Sequence, residues 1–155
     1  MTERIVALGD RRWLELRAQY SALVRQELAR HGGEEIDLVG DQVFAVFDAA
    51  AAAIRCGCAI RDAVVQGLRM AVRVGIHAGE VEYDDETMSG ITIFTGQRIM
   101  VAAQPGEVLV SNTVKELVAG SGITFKDRGT HIFKGLPGEW QLFTPDVDEA
   151  EAVTP

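Results

Sequence analysis

Trp13, Leu16, Tyr20, Leu23, Val24 and Leu28 recur at three- and four-residue intervals. That is the spacing of one apolar helix face, and it predicts an amphipathic helix over residues 10–30. His31-Gly32-Gly33 closes it, since glycine is favoured just past a helix C-terminus. The pattern then switches to strands over 35–39 and 43–47, joined at Gly40-Asp41. A turn of this kind is an ordinary hairpin device, but it can equally hold a carboxylate rigidly for a metal. Asp48 is placed as N-cap of a second helix running to Val65, with Gly67 after it. Residues 70–83, MAVRVGIHAGEVEY, read as two strands broken near Ala78-Gly79. Ile91, Phe94, Ile99 and Ala102 have near-helical spacing and predict a helix over 91–103. GEVLVS reads as a strand, Asn112 as the cap of a short helix to Ala119, and 124–128 and 132–143 as closing strands. Helices interleaved with strand pairs in this order imply an α+β fold with helices on one or both sheet faces.

Composition adds bounds. The chain has 155 residues, 47% hydrophobic and 25% charged, enough for one domain with a core that needs no covalent staples. Residues 1–144 form that domain, and 145–155 are an acidic tail expected to be disordered. Fifteen basic against 23 acidic residues give a net charge of −8, which argues against nonspecific nucleic-acid binding. No apolar run reaches bilayer length, and the N-terminus carries no signal-peptide pattern. No membrane association is therefore expected, and the expected location is cytoplasmic. Cys56 and Cys58, two apart on a helix, point in different directions and cannot pair; they read as core residues. His31, His77 and His131 have no nucleophile beside them in sequence. Gly75, Gly79 and Gly90 read as bulge or turn residues, because no phosphate-cradling glycine pattern occurs.

The segments TERIVALGDRRW, VGDQVFAVF, AIRCGCAIRDAV, VRVGIHAGEVE, PGEVLVSNTVKELVAGSGITFKDRG and FKGLPGEWQLF resemble, in order, the catalytic domain of class III nucleotidyl (adenylate and guanylate) cyclases. The bacterial members are especially similar, and the match runs from Thr2 to Phe143. The resemblance implies a ferredoxin-like βαββαβ core and head-to-tail dimers with active sites built from both protomers. It also implies two divalent cations, Mg²⁺ or Mn²⁺, held by two aspartates over a nucleoside triphosphate. One ion acidifies the ribose hydroxyl that attacks the α-phosphate, and the other screens the leaving pyrophosphate.

Carried over residue by residue, the hairpin metal position is Asp41. The first-strand metal aspartate has no counterpart, since the chain begins Met1-Thr2-Glu3-Arg4 as if cut just after that strand. A truncated gene product or a start codon placed too far downstream would explain it. The base-recognising lysine position holds Asp37, a charge reversal, and its partner position holds Thr87, whose hydroxyl can still donate or accept. The transition-state arginine is Arg98, but the ribose-orienting asparagine position holds Phe94. The phosphate-contacting lysine corresponds to Lys134. Each lost electrostatic contact of this kind is worth about 2.7–4 kcal/mol, so the expectation is a degenerate domain with little or no cyclisation. In that setting Arg98 is expected in a surface or interface salt bridge and Phe94 in simple packing.

The alternatives are an active cyclase whose true N-terminus restores the missing aspartate, and a non-catalytic module that forms homodimers or heterodimers with another cyclase domain. A first strand lies centrally in a ferredoxin-like sheet. Its absence would leave two unpaired edges and an open groove, into which the β-compatible Arg4-Ile5-Val6-Ala7-Leu8 could be drawn, although the resemblance places that segment in the helical lead-in.

Overall fold

The computed structural model describes residues 2–39, 42–80, 82–83 and 88–147. The long helix α1 spans Thr2–His31 and is broken at Gly9, whose φ of 77° is open to glycine at little cost. Residues 2–8 are helical, as the resemblance places them, and 4–8 does not fill a sheet gap. The helix face carried by Leu16, Val24 and Leu28 packs on α2, Ala50–Leu68: Leu16 meets Val64 and Met70, while Val24 and Leu28 meet Cys56. Early residues of one thus meet late residues of the other, and the two helices run antiparallel. At the end of α1, the Gly33 N–H donates to Leu28 O at 2.8 Å, a glycine-dependent closure of the type expected.

Strands β1 (Glu34–Val39) and β2 (Gln42–Val46) pair antiparallel with Val39 opposite Gln42, and a bulge falls between Glu35 and Asp37. Four further strands form the main sheet: β3 (Val74–Ile76), β6 (Val108–Ser111), β7 (Thr124–His131) and β8 (Trp140–Asp146), in the order β3-β6-β8-β7. The short strands β4 (Glu82–Tyr83) and β5 (Met88–Ser89) make a separate antiparallel pair. Two more helices complete the fold, α3 (Ile91–Ala102) and α4 (Asn112–Leu117).

The core is two-sided. All four residues of β6 are buried, as an interior strand covered on both faces requires. Val108 and Val110 join Ile54, Cys58 and Val114 on the α2/α4 face, whereas Leu109 joins Ile99, Leu142 and Phe133 on the α3 face. Both cysteines are free and buried, as expected of core residues.

Several boundaries differ from the sequence reading. Ala49, without a side-chain cap bond, precedes α2; Asp48 is not its cap, and Gly67 lies inside the helix, which ends at Arg69 in the left-handed region. The cap of α4 is Ser111, whose Oγ accepts from the Val114 N–H, rather than Asn112. Residues 132–139 are a turn between β7 and β8 and not part of a strand. Strand β8 runs through Asp146, with Pro145 opposite Phe125, and residues 148–155 lie outside the described residues. Gly75 is neither bulge nor turn: a Cβ there would stand 2.3 Å from Met100 N and 2.6 Å from Gly96 O. Its role is the close crossing of β3 and α3.

Candidate active site

Helix α3 starts after Gly90, whose φ is 125°. Phe94 and Arg98, four apart, share one of its faces. The Arg98 guanidinium lies over the Phe94 ring, 4.8 Å from its centroid, so the arginine makes a cation–π contact. Among the described residues of the chain Arg98 makes no salt bridge. Arg98 Nε is buried and makes no hydrogen bond among the described residues. Phe94 also packs against the Ile99–Phe133–Leu136 cluster. A Cβ on Gly135 would approach the Phe94 ring to 3.3 Å, so the turn that follows β7 lies against this ring. Lys134 is exposed on that turn. The fold thus gathers Phe94, Arg98 and the Lys134 turn at one place. Asp37 is exposed on β1, opposite Phe44, in the other sheet. Asp41 and Thr87 lie outside the described residues.

Among the described residues no three of His, Cys, Asp and Glu cluster as cation ligands; the expected ligand, Asp41, lies outside them.

A second set of contacts was invisible in the sequence because its members lie far apart. His77 Nδ1 sits 2.7 Å from Ser111 Oγ, and the His77 ring meets Trp140 edge-on at 5.5 Å. Burial pushes the His77 pKa below its ordinary value. The ring and the Ser111 hydroxyl share one hydrogen bond, and Ser111 Oγ also accepts from Val114 N–H. Ser111 is 1% exposed, too enclosed to attack a substrate, and the pair is structural. Arg128 forks onto Glu107, with Nη2 donating to Oε1 at 3.0 Å, and that contact holds the Glu107 carboxyl below its usual range. Burial, assisted by Glu27, pushes the Cys56 thiol up to about 12, so it is an inert core group.

Between β2 and β3 runs a groove of about 950 Å³, floored by side chains of α1 and α2 and bordered by α3. The two strands beside it belong to different sheets.

Comparison with known proteins places this arrangement. No protein-family profile matches the chain. An uncharacterized protein of Mycobacterium tuberculosis is 33% identical over 134 residues, which are 81% of this chain and 46% of that one. The chain thus spans about half the length of the curated relatives it matches. The crystal structure of the adenylyl cyclase CyaB from P. aeruginosa superposes with a TM-score of 0.84 at 22% identity, covering 97% of this chain and 90% of that one. The chain has the class III nucleotidyl cyclase fold. An adenylate/guanylate cyclase/hydrolase from Silicibacter pomeroyi agrees, with a TM-score of 0.81 at 24% identity over 94% of this chain and 90% of that one. The α+β, cyclase-type architecture expected from the sequence is therefore borne out. In this cyclase fold Phe94 and Arg98 ride together on α3. No helix among the described residues is long and apolar enough to cross a membrane.

Proposed function

We propose that the chain is a class III nucleotidyl cyclase homology domain of cyclic-nucleotide signalling that has lost the catalytic constellation. It converts little or no ATP or GTP and serves as a non-catalytic regulatory module. The observation that carries this reading is the Phe94 ring. It stands where the resemblance calls for a ribose-orienting amide, it lies against both Arg98 and the turn at Gly135, and it offers no hydrogen bond. Arg98 is held by that ring, and Asp37 sets a negative charge where a base-reading cation is called for.

The resemblance implies a homodimer or a heterodimer with another cyclase domain, and large apolar side chains exposed at Ile91, Val101 and Ile132 supply surface for it. The test is turnover of ATP and of GTP with Mg²⁺ and with Mn²⁺, alongside calorimetric titration of each nucleotide. The expected result is no cyclic nucleotide above a no-protein control and no binding heat, for the natural chain and for Phe94→Asn alike. Cyclic nucleotide formed by the purified natural chain would overturn the reading in favour of an active cyclase using Mg²⁺ or Mn²⁺.

A further inference from the structure

Strand β7 is the outer edge of the main sheet: β8 bonds one side of it, and among the described residues no strand bonds the other. Eight residues long, it spans about 26 Å, and about half of its backbone N–H and C=O groups point away from β8. A straight edge of that length is a template for a further strand. This one is not straight. Asp127 pairs with Phe143 and Thr130 with Gln141, so Arg128 and Gly129 together stand opposite the single residue Leu142. That is a β-bulge, which bends and twists the strand that carries it. Gly129, at a φ of 86°, supplies the left-handed residue at little cost.

The polar groups that the bulge frees are taken up by side chains of the same strand. Gly129 N–H donates to Asp127 Oδ1 at 2.7 Å, and His131 Nε2 donates to Arg128 O at 3.0 Å. Asp127 Oδ2 also accepts from Gln141 Nε2 of β8 at 3.4 Å. The Arg128 guanidinium reaches past β8 to Glu107, which precedes β6 two strands away, so flattening the bulge would disturb that fork as well. Charge works in the same direction. Two β7 strands meeting antiparallel about Asp127 would set Asp127 of one copy against Asp127 of the other, and Lys126 against Arg128. Like charges directly opposite destabilise a strand pair.

We infer that Asp127 and His131 guard this edge: they hold the bulge at Gly129 and so keep a second copy of the chain from adding its own β7 to the main sheet. The contact they exclude is an antiparallel β7–β7 pairing that joins two sheets into one. The inference rests on this edge alone. It does not depend on whether the domain cyclises nucleotides or pairs through Ile91, Val101 and Ile132.

The test compares the full natural chain with Asp127→Val, Asp127→Val/His131→Val and Asp127→Asn by sedimentation velocity over a concentration series, with amide exchange read at β7. Asparagine keeps an oxygen to accept from Gly129 N–H, whereas valine offers none and favours a regular strand. Both valine variants are expected to associate at concentrations about tenfold or more below the natural chain, with β7 amides gaining protection as they do. Asp127→Asn should follow the natural chain. Valine variants no more associated than the natural chain overturn the inference. So does association that leaves β7 amides unprotected, because the contact then lies on another face. In the natural chain itself, Gly129 N–H should exchange slowly at every concentration. Fast exchange there, or β7 protection that grows with concentration, overturns the inference without recourse to any variant.

Discussion

Gly75 and Gly96 meet where β3 crosses α3, and a methyl group has opposite effects at the two. At Gly75 an added Cβ overlaps the backbone of α3 at 2.3 and 2.6 Å, and backbone cannot swing aside as a side chain can. Gly75→Ala is expected to destabilise by at least the 1–3 kcal/mol or so of ordinary overpacking, read as a lowered urea midpoint. Gly96 lies inside α3 with nothing within 4 Å of an added Cβ. Gly96→Ala should stabilise by about 0.5–1 kcal/mol through helix entropy. A neutral result at Gly75 would refute so close a crossing of strand and helix. Neither sign was legible in the sequence, where the glycine reads as a turn or bulge residue; the reason for it lies 21 to 25 residues further along. The Phe94–Arg98 pair, in contrast, was legible as neighbours, because four-residue spacing on a helix places them together. Its contact with the turn at Gly135 was not, since Gly135 reaches Phe94 only through the fold.

At the scale of elements, the sequence foretold those whose pattern is strongly periodic: the main body of α1, and α3 despite its β-branched start. It missed terminal details decided by single hydrogen bonds, such as Ser111 in place of Asn112 as the cap of α4. Ser111 was hidden because its hydroxyl serves two elements, accepting from Val114 N–H and bonding His77 at the end of β3. That junction makes stability depend on pH. The folded His77 pKa lies below its ordinary value of 6.5, so the unfolded chain binds the proton first as pH falls. Stability is then fully present above pH 6.5 and declines through the window beneath it. Glu107, depressed from 4.5 chiefly by its hydrogen bond to Arg128, adds a second loss below pH 4.5 by the same sign. His77→Gln should flatten the decline just below pH 6.5, and Arg128→Met should shrink the one below 4.5. Denaturant titrations at a series of pH values check both. An unchanged slope in His77→Gln would show that the ring is not held neutral in the fold.

At the scale of the whole molecule, the polypeptide divides into two unequally secured parts. The sheet β3-β6-β8-β7 is clamped on both faces, with side chains such as Ile54, Val108, Leu142 and Ile99 wholly buried. Among the described residues the hairpin β1-β2 shares no hydrogen-bonded edge with that sheet. It is anchored through a separate cluster in which Val43, Ala45 and Phe47 pack against Val24, Leu28 and Cys56. Two clusters joined mainly through α1 and α2 should open separately, the less buried one at lower free energy. Leu28, 5% exposed and central to the hairpin's anchor, is the place to test this. Leu28→Ala removes buried methyl groups and should destabilise by about 2–5 kcal/mol. If the hairpin is a separate unit, amide exchange in β1 and β2 will quicken far more than in β6 and β8 under native conditions. Uniform acceleration across all four strands would mean that the edges of β2 and β3 communicate directly, and that the gap between them is closed in solution.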